Sequence, residues 1–240
     1  MTQQALDPDR PVGTEARKTF QIRLENGFIG AYLSGDRVLD VGFRGYGGTV
    51  VPIVPNAIGI DLDYPGYDGR VLPFADGSQD AVFSSHCLEH IADDRNALRD
   101  WFRVLKVGGY LVIAVPHQFL YEKRAFPPSR WNGDHKRFFT PGILMTRVER
   151  ALVPNSYRLR HLADNDHGFD YAVPPRQHAG GCYEIEMVVQ KIAPPAWALD
   201  RSPLAFSSFQ RLLPWLRYWA ARWVPEPIKE VMYGLVRRFF

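Results

Sequence analysis

The chain has 240 residues, 46% of them hydrophobic and 23% charged, which suffices for one α/β domain with additions and a real buried core. Two cysteines, Cys87 and Cys182, are too few for a disulfide framework or a cysteine-built zinc site, so a reducing compartment is expected. The net charge of +3 is unevenly spread: from Arg201 onward seven Lys and Arg residues face two acids, leaving the remainder slightly negative.

Residues 1–13 are polar, carry two prolines and lack an apolar run, so they read as disordered and not as a signal peptide. Ala16 to Leu33 carries Phe20, Leu24, Phe28 and Leu33 near helical spacing, with a break at Asn26-Gly27. Ser34-Gly35-Asp36 turns the chain into Val38-Leu39-Asp40-Val41-Gly42, a short buried strand that opens into a glycine loop, Gly42 to Gly48. Asp61 follows about twenty residues later, after the apolar run Ala57-Ile58-Gly59-Ile60. Strand, glycine turn and acid at this spacing hold a nucleoside: main chain approaches the ligand where no side chain intrudes, and a carboxylate accepts from both ribose hydroxyls. Pro52 and Pro55 leave room for one helical turn at most between the two strands. A dinucleotide needs a full helix N-terminus there, so a nucleoside without a pyrophosphate fits better than NAD or FAD.

Turns follow from Asp61 to Arg70. Ala81 to Ser85 reads as a buried strand entered from Asp80, and Asp94 to Leu105 as a helix with the apolar stripe Leu98, Trp101, Phe102 and Leu105. Lys106 to Gly109 reads as its glycine C-cap, and Tyr110 to Val115 as a central strand. Pro141 to Leu152 reads as a helix, and Tyr157 to Leu162 and Tyr183 to Ile192 as strands. No apolar run reaches the length that spans a bilayer, and a cytoplasmic protein is expected.

Five segments, Val38-Leu39-Asp40-Val41-Gly42, Gly59-Ile60-Asp61, Leu72-Pro73-Phe74, Asp80 to His90 and Arg103 to Gly109, resemble in order and spacing the motifs of class I S-adenosylmethionine-dependent methyltransferases of the methyltransferase 11 type. The similarity covers residues 37–116, with a weaker extension through His135 to Thr140. It implies a Rossmann-like, doubly wound α/β fold, with a mostly parallel seven-stranded sheet and an antiparallel final hairpin. The methyltransferase domain is expected over 14–195, and a basic aromatic amphipathic helical tail, outside the resemblance, over 196–240. The resemblance also implies S-adenosyl-L-methionine as cofactor: Gly42 and Gly45 against its methionine half, Asp40 reaching its ammonium through water, and Asp61 on the ribose. Asp68 would accept from the adenine amino group beside Gly69, and Ser85 and His86 would lie on the crevice side of their strand. The family usually has glycine at position 44, so Arg44, with Tyr46, implies a reshaped loop.

A hydroxyl acceptor of the methyl group calls for a general base, commonly histidine. The candidates are His117, His135 and His86, with His90 behind them. The segment Gln118 to Thr140 mixes Tyr121, Phe126, Trp131 and Phe138 with charged residues, a mixture that fits a sugar or polyol and equally a surface lid. Asp164, Asp166, His167, Asp170 and His178 match no ligand spacing, so no metal site is expected. The tail sets Trp215, Trp219 and Trp223 among arginines at helical spacing, as does a peptide lying on a membrane surface; packing on the domain, or in a homodimer, is the alternative. No RNA-binding motif is visible and nucleic acid is not expected as a partner. The expected activity is methyl transfer to a small-molecule, saccharide or lipid-linked glycan acceptor at oxygen. The alternatives are a lipid or quinone methyltransferase at the membrane, and a non-catalytic scaffold of the same fold.

Overall fold

The computed structural model describes residues 6–43 and 48–197. The chain divides into two units, Met1–Pro195 and Ala196–Phe240, and the expected basic aromatic tail lies outside the described residues of the second. The first unit runs α1 (Thr14–Glu25), α2 (Phe28–Tyr32), β1 (Val38–Val41), β2 (Ala57–Ile60), β3 (Gln79–Ser85), α3 (Asp94–Arg103), β4 (Leu105–Pro116), α4 (Pro141–Ala151), β5 (Tyr157–Asn165) and β6 (Glu184–Lys191). A 3₁₀ turn, Leu88–His90, follows β3, and a π-turn, Gln118–Glu122, follows β4.

The strands form one sheet in the order β2-β1-β3-β4-β6-β5. β1 pairs in parallel with β2 and β3, and β3 with β4, whereas β6 lies antiparallel to both β4 and β5. Alternation along each strand supplies two cores. Leu39, Val82, Leu111, Ile113, Val115, Ile185 and Met187 face α3 and α4, and Val38, Ala81, Phe83, Val112 and Val188 face α1 and α2. Both faces are covered, which is why the central strands are apolar almost throughout.

Local chemistry sets the helix ends. Gly27, at φ 76°, breaks α1 from α2 at the expected Asn26-Gly27 step. The Asp93 carboxylate accepts from Asn96 N–H at the start of α3, and the Thr140 hydroxyl accepts from Ile143 N–H ahead of Pro141 in α4. The α3 stripe is buried as expected, and Leu98 and Trp101 each contribute about 1.5–3 kcal/mol of apolar transfer.

Three expectations are corrected. Six strands, not seven, are present among the described residues, because the stretch after β2, Asp61 to Ser78, is a chain of turns. Residues 10–13 are not disordered: Val12 is buried and bridges Val51, whose N–H donates to Pro11 O, and Arg10 donates to Pro52 O. One apolar residue and a free carbonyl anchor a segment whose composition argued against order. Lys106 to Gly109 is part of β4 and not a helix cap. Pairing slips from Gln79 with Leu105 to Ala81 with Tyr110, and a Cβ on Gly109 would lie 2.8 Å from Asp80 O, so its glycine serves a bulge.

Candidate functional site

Register alone assembles the carboxyl edge of the sheet. Val41 pairs with Ile60 on one side and Ser84 on the other, so Gly42 and Asp61, one step beyond their strand ends, stand in a row with Ser85, the last residue of β3. The chain leaves β1 for β2 on one side and returns through β3 on the other, which makes this row the topological switch point where open α/β sheets bind ligands. Gly42 has φ 84° and donates to Ile60 O. A Cβ there would meet Cys87 Cβ at 2.5 Å, and one on Gly59 would meet the Phe43 ring at 2.2 Å. Both glycines are therefore required by close packing beneath the loop, and burial pushes the Cys87 thiol up to about 12.

The acids of this edge are held differently. Asp61 Oδ1 accepts from Leu62 N–H at 2.6 Å, and the residue is half-buried at the mouth of the row. Asp68 is exposed, and its Oδ1 accepts from Arg70 and Val71 N–H, both at 2.9 Å. Those two bonds hold its pKa below the usual value, and Gly69 supplies the φ of 79° that lets the turn close. Asp40 is buried on the α1 face, where Oδ2 accepts from Ile53 N–H at 2.8 Å. Burial raises its pKa to about 7, and the bond from Ile53 opposes the rise.

The folded chain thus binds this proton more tightly than the unfolded one, and stability falls as pH rises from about 4 to about 7, with a slope near 1.4 kcal/mol per pH unit from this group. Asp40→Asn keeps the acceptor for Ile53 and cannot ionise. Its stability relative to the parent is expected to grow across that window, as read by urea unfolding at several pH values. A difference independent of pH would show that Asp40 is ionised throughout.

The histidines take separate roles. His117 Nδ1 accepts from Phe119 N–H at 3.0 Å, which places the proton on Nε2, 3.7 Å from Asp164 Oδ1. Burial lowers its pKa, and Asp164 partly offsets this. Its Nδ1 lone pair caps the π-turn, so the neutral ring presents N–H, and not a free acceptor, at Nε2. His86, with φ 51°, sets Nε2 2.9 Å from Glu184 Oε1. Burial lowers its pKa, but the bond to Glu184 and the charges of Glu184, Glu89 and Glu15 outweigh it, and the net shift is upward. With Nε2 turned to Glu184, the other ring nitrogen, Nδ1, faces Glu89 and Glu15. His135 Nδ1 lies 2.5 Å from buried Glu122 Oε1, a pairing that in the neutral ring leaves the accepting lone pair on Nε2, 3.9 Å from Glu89 Oε1.

Beside this edge lies a buried ionic group. Arg23 of α1 donates Nε to Glu186 and Nη2 to Glu184, each at 2.7 Å, with all three side chains at most 8% exposed. Lys18, Glu15 and Tyr183 form a second layer over it. Sequence reasoning missed these residues. The available signal was Glu184-Ile185-Glu186-Met187, two acids at period 2 opposite the apolar positions Ile185, Met187 and Val189 of the same strand.

A family model described as "Methyltransferase domain" matches residues 54–113. A protein of Mycolicibacterium smegmatis named "Probable S-adenosylmethionine-dependent methyltransferase" is 26% identical over 181 residues, 68% of each chain. A structure of a SAM-dependent methyltransferase from Aquifex aeolicus shares the fold, with a TM-score of 0.50, 15% identity, and coverage of 78% of this chain and 100% of its own. The family match and these likenesses support a class I S-adenosylmethionine-dependent methyltransferase. The ubiquinone/menaquinone biosynthesis C-methyltransferase of Cronobacter sakazakii is 30% identical over 105 residues, 44% of this chain and 38% of that enzyme.

The methyltransferase carries residues that fit S-adenosylmethionine. Gly42 bares the main chain after β1, Asp61 offers its carboxylate at the end of β2, and Ser85 Oγ is buried with no hydrogen-bond partner among the described residues. Gly45 lies with Arg44, Tyr46 and Gly47 outside the described residues. No helix of the described methyltransferase residues is long and apolar enough to cross a membrane.

Proposed function

We propose that this methyltransferase moves a methyl group to the hydroxyl oxygen of a small-molecule, saccharide or lipid-linked glycan acceptor. The observation that carries the reading is the row of Gly42, Asp61 and Ser85 at the switch point, with the accepting nitrogen of His135 on the same edge. S-adenosylmethionine supplies an electrophilic methyl carbon on a sulfonium. The protein has to align the acceptor oxygen with that carbon and keep water out. Asp61 binds the ribose hydroxyls, and the bare chain at Gly42 permits close approach. Tyr121, Trp131, His178 and Tyr183 form an aromatic cluster beside His135, with ring centroids 4.8–6.1 Å apart, and Trp131 and His178 at its rim offer flat faces to a polyol.

The cofactor half of the reading is tested by calorimetric titration with S-adenosylhomocysteine. Asp61→Asn is expected to weaken binding roughly 10- to 100-fold, the value of a hydrogen bond to a charged group. The fold should persist, because Asp61 bonds only its neighbour's N–H. Unchanged affinity would remove Asp61 from the site. The acceptor half is tested by screening sugars, glycolipids and quinols with labelled cofactor.

A second reading, a lipid or quinone acceptor at a membrane surface, is favoured by two observations. Several relatives are named as quinone or menaquinone methyltransferases, although a Corynebacterium efficiens enzyme of this kind matches over only 47 residues, 20% of each chain. Phe119 and Phe126, on the segment after β4, are 68% and 78% exposed. Labelling of quinols but not of polyols in the same screen would decide for it.

A further inference from the structure

Three histidine rings converge on one carboxylate oxygen. Glu89 Oε1 lies 3.8 Å from His86 Nδ1, 3.8 Å from His90 Nε2 and 3.9 Å from His135 Nε2. Glu89 is fully buried, and neither of its oxygens has a hydrogen-bond partner among the described residues. The gaps are too long for hydrogen bonds, and a buried carboxylate without partners is costly. Each ring presents its other nitrogen to a second carboxylate: His86 to Glu184 at 2.9 Å, His90 to Asp134 at 3.4 Å, and His135 to Glu122 at 2.5 Å.

We propose that Glu89, His90 and His135 form a divalent transition-metal site with open coordination positions. Their ligand atoms lie within 4.8 Å of one another. Donors sharing an ion at bond lengths of ~2.0–2.2 Å stand roughly 3–3.5 Å apart, so a modest contraction of the three groups closes the site. Two imidazoles and one carboxylate are a donor set for zinc or a neighbouring first-row ion; magnesium and calcium prefer all-oxygen shells. The Glu122 carboxylate behind His135 does what a second-sphere group does in such sites: it fixes the tautomer and aims Nε2 at the ion. The two ligand segments are also tied by main chain, since Lys136 N–H donates to Glu89 O at 2.8 Å. His90, with 29% of its side chain exposed, leaves a route for the ion from solvent.

Sequence spacing hid the site. Glu89 and His90 adjoin in the 3₁₀ turn after β3, and His135 arrives 45 residues later from the segment beyond β4, so no ligand motif forms. The position, at the carboxyl ends of two central strands, lets the open coordination positions take an oxygen donor from a molecule in the crevice.

The test is calorimetric titration of the chelator-treated full chain with Zn²⁺ alone, with Co²⁺ absorption in the visible as a second readout. One tight equivalent is expected, with a tetrahedral or five-coordinate cobalt spectrum. His90→Ala and Glu89→Gln should abolish that equivalent, and Glu122→Gln should weaken it roughly 10- to 100-fold. S-adenosylhomocysteine binding, retained in each variant, reports that the fold is intact. No tight equivalent in the parent chain, or an equal one in His90→Ala, would overturn the proposal. A confirmed site takes the His135 Nε2 lone pair and so removes that nitrogen as a free base, whereas a failed one leaves the base in place; methyl transfer itself is scored separately, by cofactor binding and acceptor labelling.

Discussion

Replacing Arg23 with alanine is expected to destabilise the fold by about 3–5 kcal/mol, read by urea or thermal unfolding, because two buried carboxylates lose their counter-charge together. The guanidinium is 2% exposed and donates to Glu184 and Glu186, and both acids project from β6 into the α1 face of the sheet. Arg23→Met with Glu184→Gln and Glu186→Gln should recover much of the loss, since removing a whole ionic group is far cheaper than orphaning part of it. A loss below 1 kcal/mol in Arg23→Ala would mean that water or a rearranged Lys18 neutralises the acids. Because Glu184 also braces His86, the ionic group joins the α1 layer to the carboxyl edge where ligands bind.

The largest kinetic effect is expected at His135. Its replacement by alanine should lower kcat by about two to four orders of magnitude, the usual weight of a positioned acid–base group, while S-adenosylhomocysteine still binds. His117→Ala should behave differently: it removes the cap on Phe119 N–H, loosens the π-turn and lowers stability, with turnover falling only as the turn frays. Glu122→Gln separates orientation from chemistry. It retains an acceptor for Nδ1–H without the charge, so an intermediate kcat and a shifted pH profile are expected, and cofactor affinity should hold. Equal turnover in the parent and His135→Ala would take this histidine out of the reaction.

What could be read from the chain followed local rules. The run Val38 to Gly42 and the run ending at Asp61 fix two parallel strands, and their register then places Gly42 beside Asp61 without further information. The Asn26-Gly27 break and the stripe of α3 are also set by neighbours in sequence. The glycines at 108 and 109 misled because the same residue serves a helix end or a strand bulge, and the choice depends on pairing with Gln79 and Asp80. Charged clusters were illegible for a related reason. Arg23 meets its acids 161 and 163 residues away, and Glu89 meets His135 across the crevice, so no periodicity records either. The three candidate bases looked alike as letters. They parted only when each ring's second nitrogen found its neighbour: a main-chain amide for His117, the Arg23-linked Glu184 for His86, and Glu122 for His135.

The strand β5 is the outermost of its side of the sheet, and an outer strand whose backbone groups are unpaired among the described residues is a template for the addition of a foreign strand. Arg158 and Arg160 are both exposed there. Strand-by-strand adhesion between two copies along this margin would crowd like charges against one another, a gatekeeping device against fibril-like stacking. Self-association of the first unit is thereby steered away from sheet extension at β5 and toward side-chain surfaces.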